Sequence, residues 1–179
     1  PGLFGSLDRS MAEAGGAHLD DVDLTRSGWS YVALGHYHVQ HEVHPRVWYS
    51  GSLDYVSPNP WGELRVEAAE QIAGKGWLLV DLVKERVERR PIDPPRRILD
   101  LRAIDAKDRT AAELDGLIAE AVEAIPGGLT DAVVRLVVRD VERVVARELD
   151  HAPIRAWKAA ALHFQLDLRR PLPADRREE

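Results

Sequence analysis

Cysteine is absent from the 179 residues. That excludes a disulfide framework and any thiolate metal site, so a bound metal would have to be held by His, Asp, Glu or Asn. No apolar run approaches the roughly 18 residues needed to span a bilayer, and no signal peptide is expected before the first elements. The expectation is a soluble, cytoplasmic protein with no membrane partner. Basic charge is also scarce: 24 Lys and Arg against 30 Asp and Glu leave a net charge of -6, which argues against a globally basic nucleic-acid binder but not against a local one. Residues 1–95 carry 9 basic and 14 acidic side chains, whereas residues 96–179 carry 15 and 16, so the second half is the less acidic. Apolar residues make up 45% of the chain, enough at this length to bury one large or two small domains.

One stretch organises the rest. Tyr31-Val32-Ala33-Leu34-Gly35-His36-Tyr37-His38 is an apolar run that ends in two closely spaced imidazoles. It predicts a strand that stops at Gly35, where a turn begins that a side chain would obstruct. His36 and His38 then sit on a loop held by a rigid strand, with Gly35, Tyr37 and His41 near them. Such a placement suits metal ligands, because an imidazole ligand needs a fixed ring orientation. The alternative is a pair of solvent-facing loop histidines. His41 and His44 continue the series as weaker candidates.

Around that stretch the chain reads as follows. Pro1-Gly2-Leu3-Phe4-Gly5 resembles the interior of a loop, which suggests a piece of a longer protein. A short helix is expected over Leu7–Ala14, and Asp20, Asp21 and Asp23 fall on a solvated connection, their spacing fitting no EF-hand loop. Val47-Trp48-Tyr49 predicts a short strand turned by Ser50-Gly51-Ser52. From Leu53 to Glu63 two prolines and a glycine argue against regular structure. Such a loop either packs over a sheet edge through Tyr55 and Trp61 or faces a substrate. Gly76–Val83 and Arg86–Ile92 predict a hairpin across Lys84-Glu85, and Pro91, Pro94 and Pro95 mark a domain boundary near Asp93–Pro95.

Beyond that boundary the pattern is regular. Arg97–Arg102 predicts a strand, and Thr110-Ala111-Ala112-Glu113 has the capping-box form. Leu114, Leu117, Ile118, Ala121, Val122 and Ile125 make an apolar helix face ended by Pro126-Gly127-Gly128. Val133–Val138 predicts a buried strand; Val141, Val144, Val145 and Leu149 mark a second helix, Pro153–Ala161 a third, and alternation from Leu162 to Leu168 a half-buried strand. This is a small α/β unit over residues 94–171, followed by a charged tail at 172–179. Arg135, Arg139, Arg143 and Arg147 recur every four residues, the first pair sharing a strand face and the second a helix face. Arg143 and Arg147 are candidate DNA contacts, the alternative being salt bridges to Asp140, Glu142 and Glu148 on a solvated surface.

Ser30–His38, then Tyr49-Ser50-Gly51-Ser52, then Lys75-Gly76-Trp77 resemble, in that order, the "ALGHxH" loop, "YxGS" turn and "KG" strand of the calcineurin-like metallophosphoesterases, and within them the SbcD-type DNA-repair exonuclease branch. The resemblance covers residues 20 to 90. It implies an α+β fold in which residues 1–93 are the C-terminal portion of a metallophosphoesterase β-sandwich and residues 94–171 an α/β capping domain. It further implies a two-metal site, with manganese the usual ion, to which His36 and His38 would each contribute a ligand. Two such ions can activate water and stabilise the leaving oxygen of a phosphodiester. The family's Asp-x-His, Gly-Asp-x-x-Asp and Gly-Asn-His-Asp motifs do not occur in this sequence, so no catalytic residue is assigned and the chain alone is expected to be inactive. Implied partners are DNA, an SbcC-type ATPase subunit and a second copy in a homodimer. The alternatives are a non-catalytic interaction or DNA-binding domain of related fold, and a phosphoesterase acting on small phosphoesters or nucleotides.

Overall fold

The computed structural model describes residues 24–25 and 28–171. The helix expected over Leu7–Ala14, the acidic run at Asp20, Asp21 and Asp23, and the charged tail lie outside the described residues. The architecture is a mixed α+β one of nine strands and four helices among the described elements. It divides into two compact units. One runs to Pro58 and resumes over Arg65–Asp93; the other comprises Asn59–Leu64 and everything from Pro94 onward.

In the first unit, β1 (Val32–Leu34) pairs parallel to β3 (Val47–Tyr49), which pairs antiparallel to β2 (His41–His44), giving the order β1-β3-β2. Val47 and Trp48 form the buried centre of this small sheet, with Val39 and Ile72 also buried in the unit. β4 (Gly76–Asp81) and β5 (Arg86–Pro91) form the hairpin expected across Lys84-Glu85. The first strand ends two residues earlier than its apolar run. The Asp81 carboxylate accepts from the backbone N–H groups of Val83 and Lys84 at 3.0 Å each, and this local bonding ends the strand and starts the turn. Leu82 and Val83 are consequently exposed.

The expectation that prolines forbid regular structure through Glu63 is overturned: α1 spans Pro60–Ala69. Pro60 is the first helical residue, where a missing N–H costs nothing and a fixed φ favours the helix. The buried side of α1 carries carboxylates as well as an indole, with Trp61, Glu63 and Glu67 all buried, so apolar periodicity does not reveal it.

The second unit is built on a parallel sheet. The central strand β8 (Ala132–Arg139) is paired along one edge by β9 (His163–Leu168) over Val133–Val138. Its other edge is shared by β6 (Arg97–Asp100) and the two-residue β7 (Ile104–Asp105). α2 (Ala111–Glu123), α3 (Arg143–Glu148) and α4 (His151–Ala160) supply the crossovers. Alternate residues of β8 face the helices: Leu136 and Val138 pack with Leu114 and Ile118 of α2, while Ala132 and Val134 pack with Val122 and Phe164. Thr110 and Glu113 complete the capping box, the Thr110 hydroxyl accepting from Glu113 N and the Glu113 carboxylate from Thr110 N. At the far end of α2, Arg97 donates to the carbonyls of Pro126, Gly128 and Thr130 at 2.6, 2.7 and 2.9 Å, tying the turn after the helix to β6.

The helix stripe expected from Val141 to Leu149 is also corrected. α3 is only six residues long, Val141 and Leu149 are buried at its flanks, and Val144 is exposed. Leu162, expected in the final strand, precedes it and is exposed as well.

Candidate functional site

The His36–His38 turn follows β1 directly. Gly35 does not carry the turn: a Cβ there would meet nothing within 4 Å and its φ is not left-handed. The left-handed residue is His36, at φ 83°. For an L-residue other than Gly, Asn or Asp this conformation costs about 1–2 kcal/mol, so the turn holds strain on one of its imidazole-bearing residues. Unusual backbone of that kind persists only where surrounding structure enforces it.

Two residues on, at the next histidine, the backbone is held from two sides. The His38 carbonyl accepts from Ser52 N at 3.1 Å and from Lys75 Nζ at 2.8 Å, filling both lone pairs. Ser52 Oγ is also near, at 3.2 Å, but it lies 2.7 Å from the Asp54 carbonyl; with one proton to give, it donates to the closer acceptor. Lys75 is 2% exposed. Its ammonium lies 3.0 Å from Glu67 Oε1 and 4.4 Å from the centroid of Tyr55, whose hydroxyl donates to Glu67 Oε2 at 2.7 Å. Sequence reasoning used Lys75 as part of a motif and missed it as a site residue. The signal was there in a lone lysine preceding a strand glycine.

Two glycines permit these contacts. Gly51 has φ 73°, and a Cβ on it would come within 3.0 Å of Gln40 N and 3.2 Å of the His38 carbonyl. At Gly76 a Cβ would lie 2.3 Å from the Arg90 carbonyl, so only glycine lets β5 close on β4 immediately after Lys75. Buried Gln40 packs against Gly51. Among the described residues, its Nε2 has no acceptor.

His36 is exposed, and its ring meets Tyr37 edge-on at 6.1 Å; Tyr37 in turn meets Tyr49 edge-on at 4.5 Å. His38 is half-buried. His41 is not a loop residue as expected: it opens β2, opposite Tyr49. Among the described residues, no group of three or more His, Asp or Glu is arranged to hold a metal ion. A neutral imidazole can ligate a metal ion through a ring nitrogen, and the described residues assemble no ligand set around this turn.

In the second unit the arginine series separates. Arg135 is buried and pairs with Asp100 of the neighbouring strand. Arg139, Arg143 and Arg147 are exposed. None of the helices among the described residues is long and apolar enough to cross a membrane. Comparison with protein-family models, with curated protein sequences and with solved structures finds no match to this chain.

Proposed function

We propose that this chain is the C-terminal part of a calcineurin-like metallophosphoesterase of the SbcD-type exonuclease branch. In this reading residues up to Asp93 are the end of the phosphoesterase β-sandwich and the unit from Pro94 is a capping domain directed at DNA. His36 and His38 each contribute one ligand to a pair of divalent ions, manganese in the first instance. When bound, such ions supply Lewis-acid activation of water and stabilise the leaving oxygen of a phosphodiester. The remaining ligands lie on a part of the protein upstream of Pro1. An SbcC-type ATPase and a second copy of the chain are the proposed protein partners.

The observation that carries the reading is the convergence of its three motifs on one atom. The His38 carbonyl, in the loop motif, is held by Ser52 N from the turn motif and by Lys75 Nζ from the strand motif. Residues that are far apart in sequence thus cooperate to fix the imidazole-bearing turn, which is what a ligand loop requires. The left-handed His36 adds support, since strain collects where function demands a special geometry.

The test is to express the complete coding sequence and assay it with manganese on linear DNA and on a panel of nucleotides and small phosphoesters. The expected result is DNA hydrolysis that falls at least 100-fold, on the order of the loss of a transition-state-stabilising group, in His36→Ala and His38→Ala. Activity confined to nucleotides overturns the DNA assignment, and activity indifferent to both substitutions overturns the metal assignment.

A further inference from the structure

We propose that Lys75 is a positioning residue for the candidate metal turn: its buried ammonium fixes the His38 carbonyl and, through that peptide, the directions of the two imidazoles. This deepens the metal reading and rests on it.

Burying an ammonium costs several kcal/mol unless it is paired and hydrogen-bonded, and an aliphatic side chain would fill the same space without that cost. Lys75 is nonetheless the largest fully buried side chain among the described residues. Its partners are arranged with a direction. Glu67 balances the charge from one side, Tyr55 orients Glu67 through its hydroxyl and offers its ring face to the ammonium, and a further N–H points at His38. The cluster reaches the backbone carbonyl of His38, two residues after the strained His36. Groups that orient ligands in this way govern metal affinity without touching the ion.

The experiment uses the 179-residue chain and manganese alone as the probe. Two properties are read by NMR: the motional order of the His36 and His38 rings without metal, and the manganese concentration that half-broadens their resonances. Lys75→Met is expected to lower the order of the His38 ring and to raise the half-broadening concentration about tenfold, the lower end of what lost ligand-orienting contacts cause. Val47→Ala, which opens a cavity in the same sheet, controls for general destabilisation and is expected to leave both readings unchanged. Tyr55→Phe removes only the hydroxyl that holds Glu67 and is expected to shift both readings the same way by two- to threefold. It decides the matter if Lys75→Met does not fold. Ring order and half-broadening concentration unchanged in the lysine variant, or in the tyrosine variant where that one decides, overturn the role of Lys75 whatever the affinity of the unsubstituted chain. An equal effect of Val47→Ala overturns it too. Broadening of the unsubstituted chain that spares His36 and His38 overturns the metal reading instead.

Discussion

Arg135 and Asp100 stand opposite each other on adjacent parallel strands and form a two-pronged pair, Nε to Oδ1 at 2.8 Å and Nη2 to Oδ2 at 2.6 Å. The guanidinium also lies 4.9 Å from the ring centroid of Trp61. Planar, fork-shaped Arg suits both contacts in a way Lys does not. Removing the acid strands a buried charge. Asp100→Ala should therefore destabilise the second unit by about 2–3 kcal/mol, less than the roughly 3–5 kcal/mol of a fully buried pair because Asp100 keeps some solvent access. Urea unfolding followed by far-UV circular dichroism checks this; a loss under 0.5 kcal/mol would contradict it.

The same burial divides the arginines toward DNA. In the proposed complete enzyme, Arg143→Gln with Arg147→Gln should weaken DNA binding and reduce the slope of log K against log salt by about 1.8, two phosphate contacts at roughly 0.9 each. Salt titrations of binding to a duplex measure it. An unchanged slope rejects contact by these two residues.

Glycines give a pair of opposite signs. Gly76→Ala drives a Cβ to within 2.3 Å of backbone oxygen and should cost about 1–3 kcal/mol or more. Gly116 lies inside α2 with nothing within 4 Å of an added Cβ, so Gly116→Ala should stabilise by about 0.5–1 kcal/mol. Thermal denaturation of the two variants decides both signs.

The capping box makes a pH-dependent contribution. Hydrogen bonds from the Thr110 backbone and hydroxyl hold the Glu113 carboxyl below its ordinary value. In the acid range the unfolded chain then binds the proton more readily than the folded one, so this contribution is complete above the usual Glu value of about 4.3 and disappears as pH falls through the lowered folded value. Thr110→Ala should cost about 1 kcal/mol at neutral pH. It should also flatten the acid limb of the stability curve, and a limb as steep as that of the unsubstituted chain would count against this role for Glu113.

Much of the second unit was legible because its signals are local. The hydroxyl and carboxylate three residues apart at Thr110 and Glu113, the helix stripe from Leu114 to Val122 and the apolar run of β8 each announce their element within a few residues. What escaped depends on partners distant in sequence. α1 buries Glu67 because Lys75 meets it, so its inner face does not read as apolar, and Pro60 looks like a breaker until it is seen to begin the helix. Arg135 reads as a surface arginine until Asp100, 35 residues away, is placed beside it. β7 is two residues long and owes its existence to the edge of β8. At the candidate site His36 and His38 were legible as residues, but the left-handed backbone of His36 was not, and the polar cluster behind His38 was not because it arises only when three separated segments meet.

The most direct test of the metal assignment is residue-resolved broadening of the chain's seven imidazoles by sub-stoichiometric manganese at neutral pH. His36 and His38 are expected to broaden first and together, before His18, His41, His44, His151 and His163. Uniform broadening of all of them, or broadening that begins elsewhere, would contradict it.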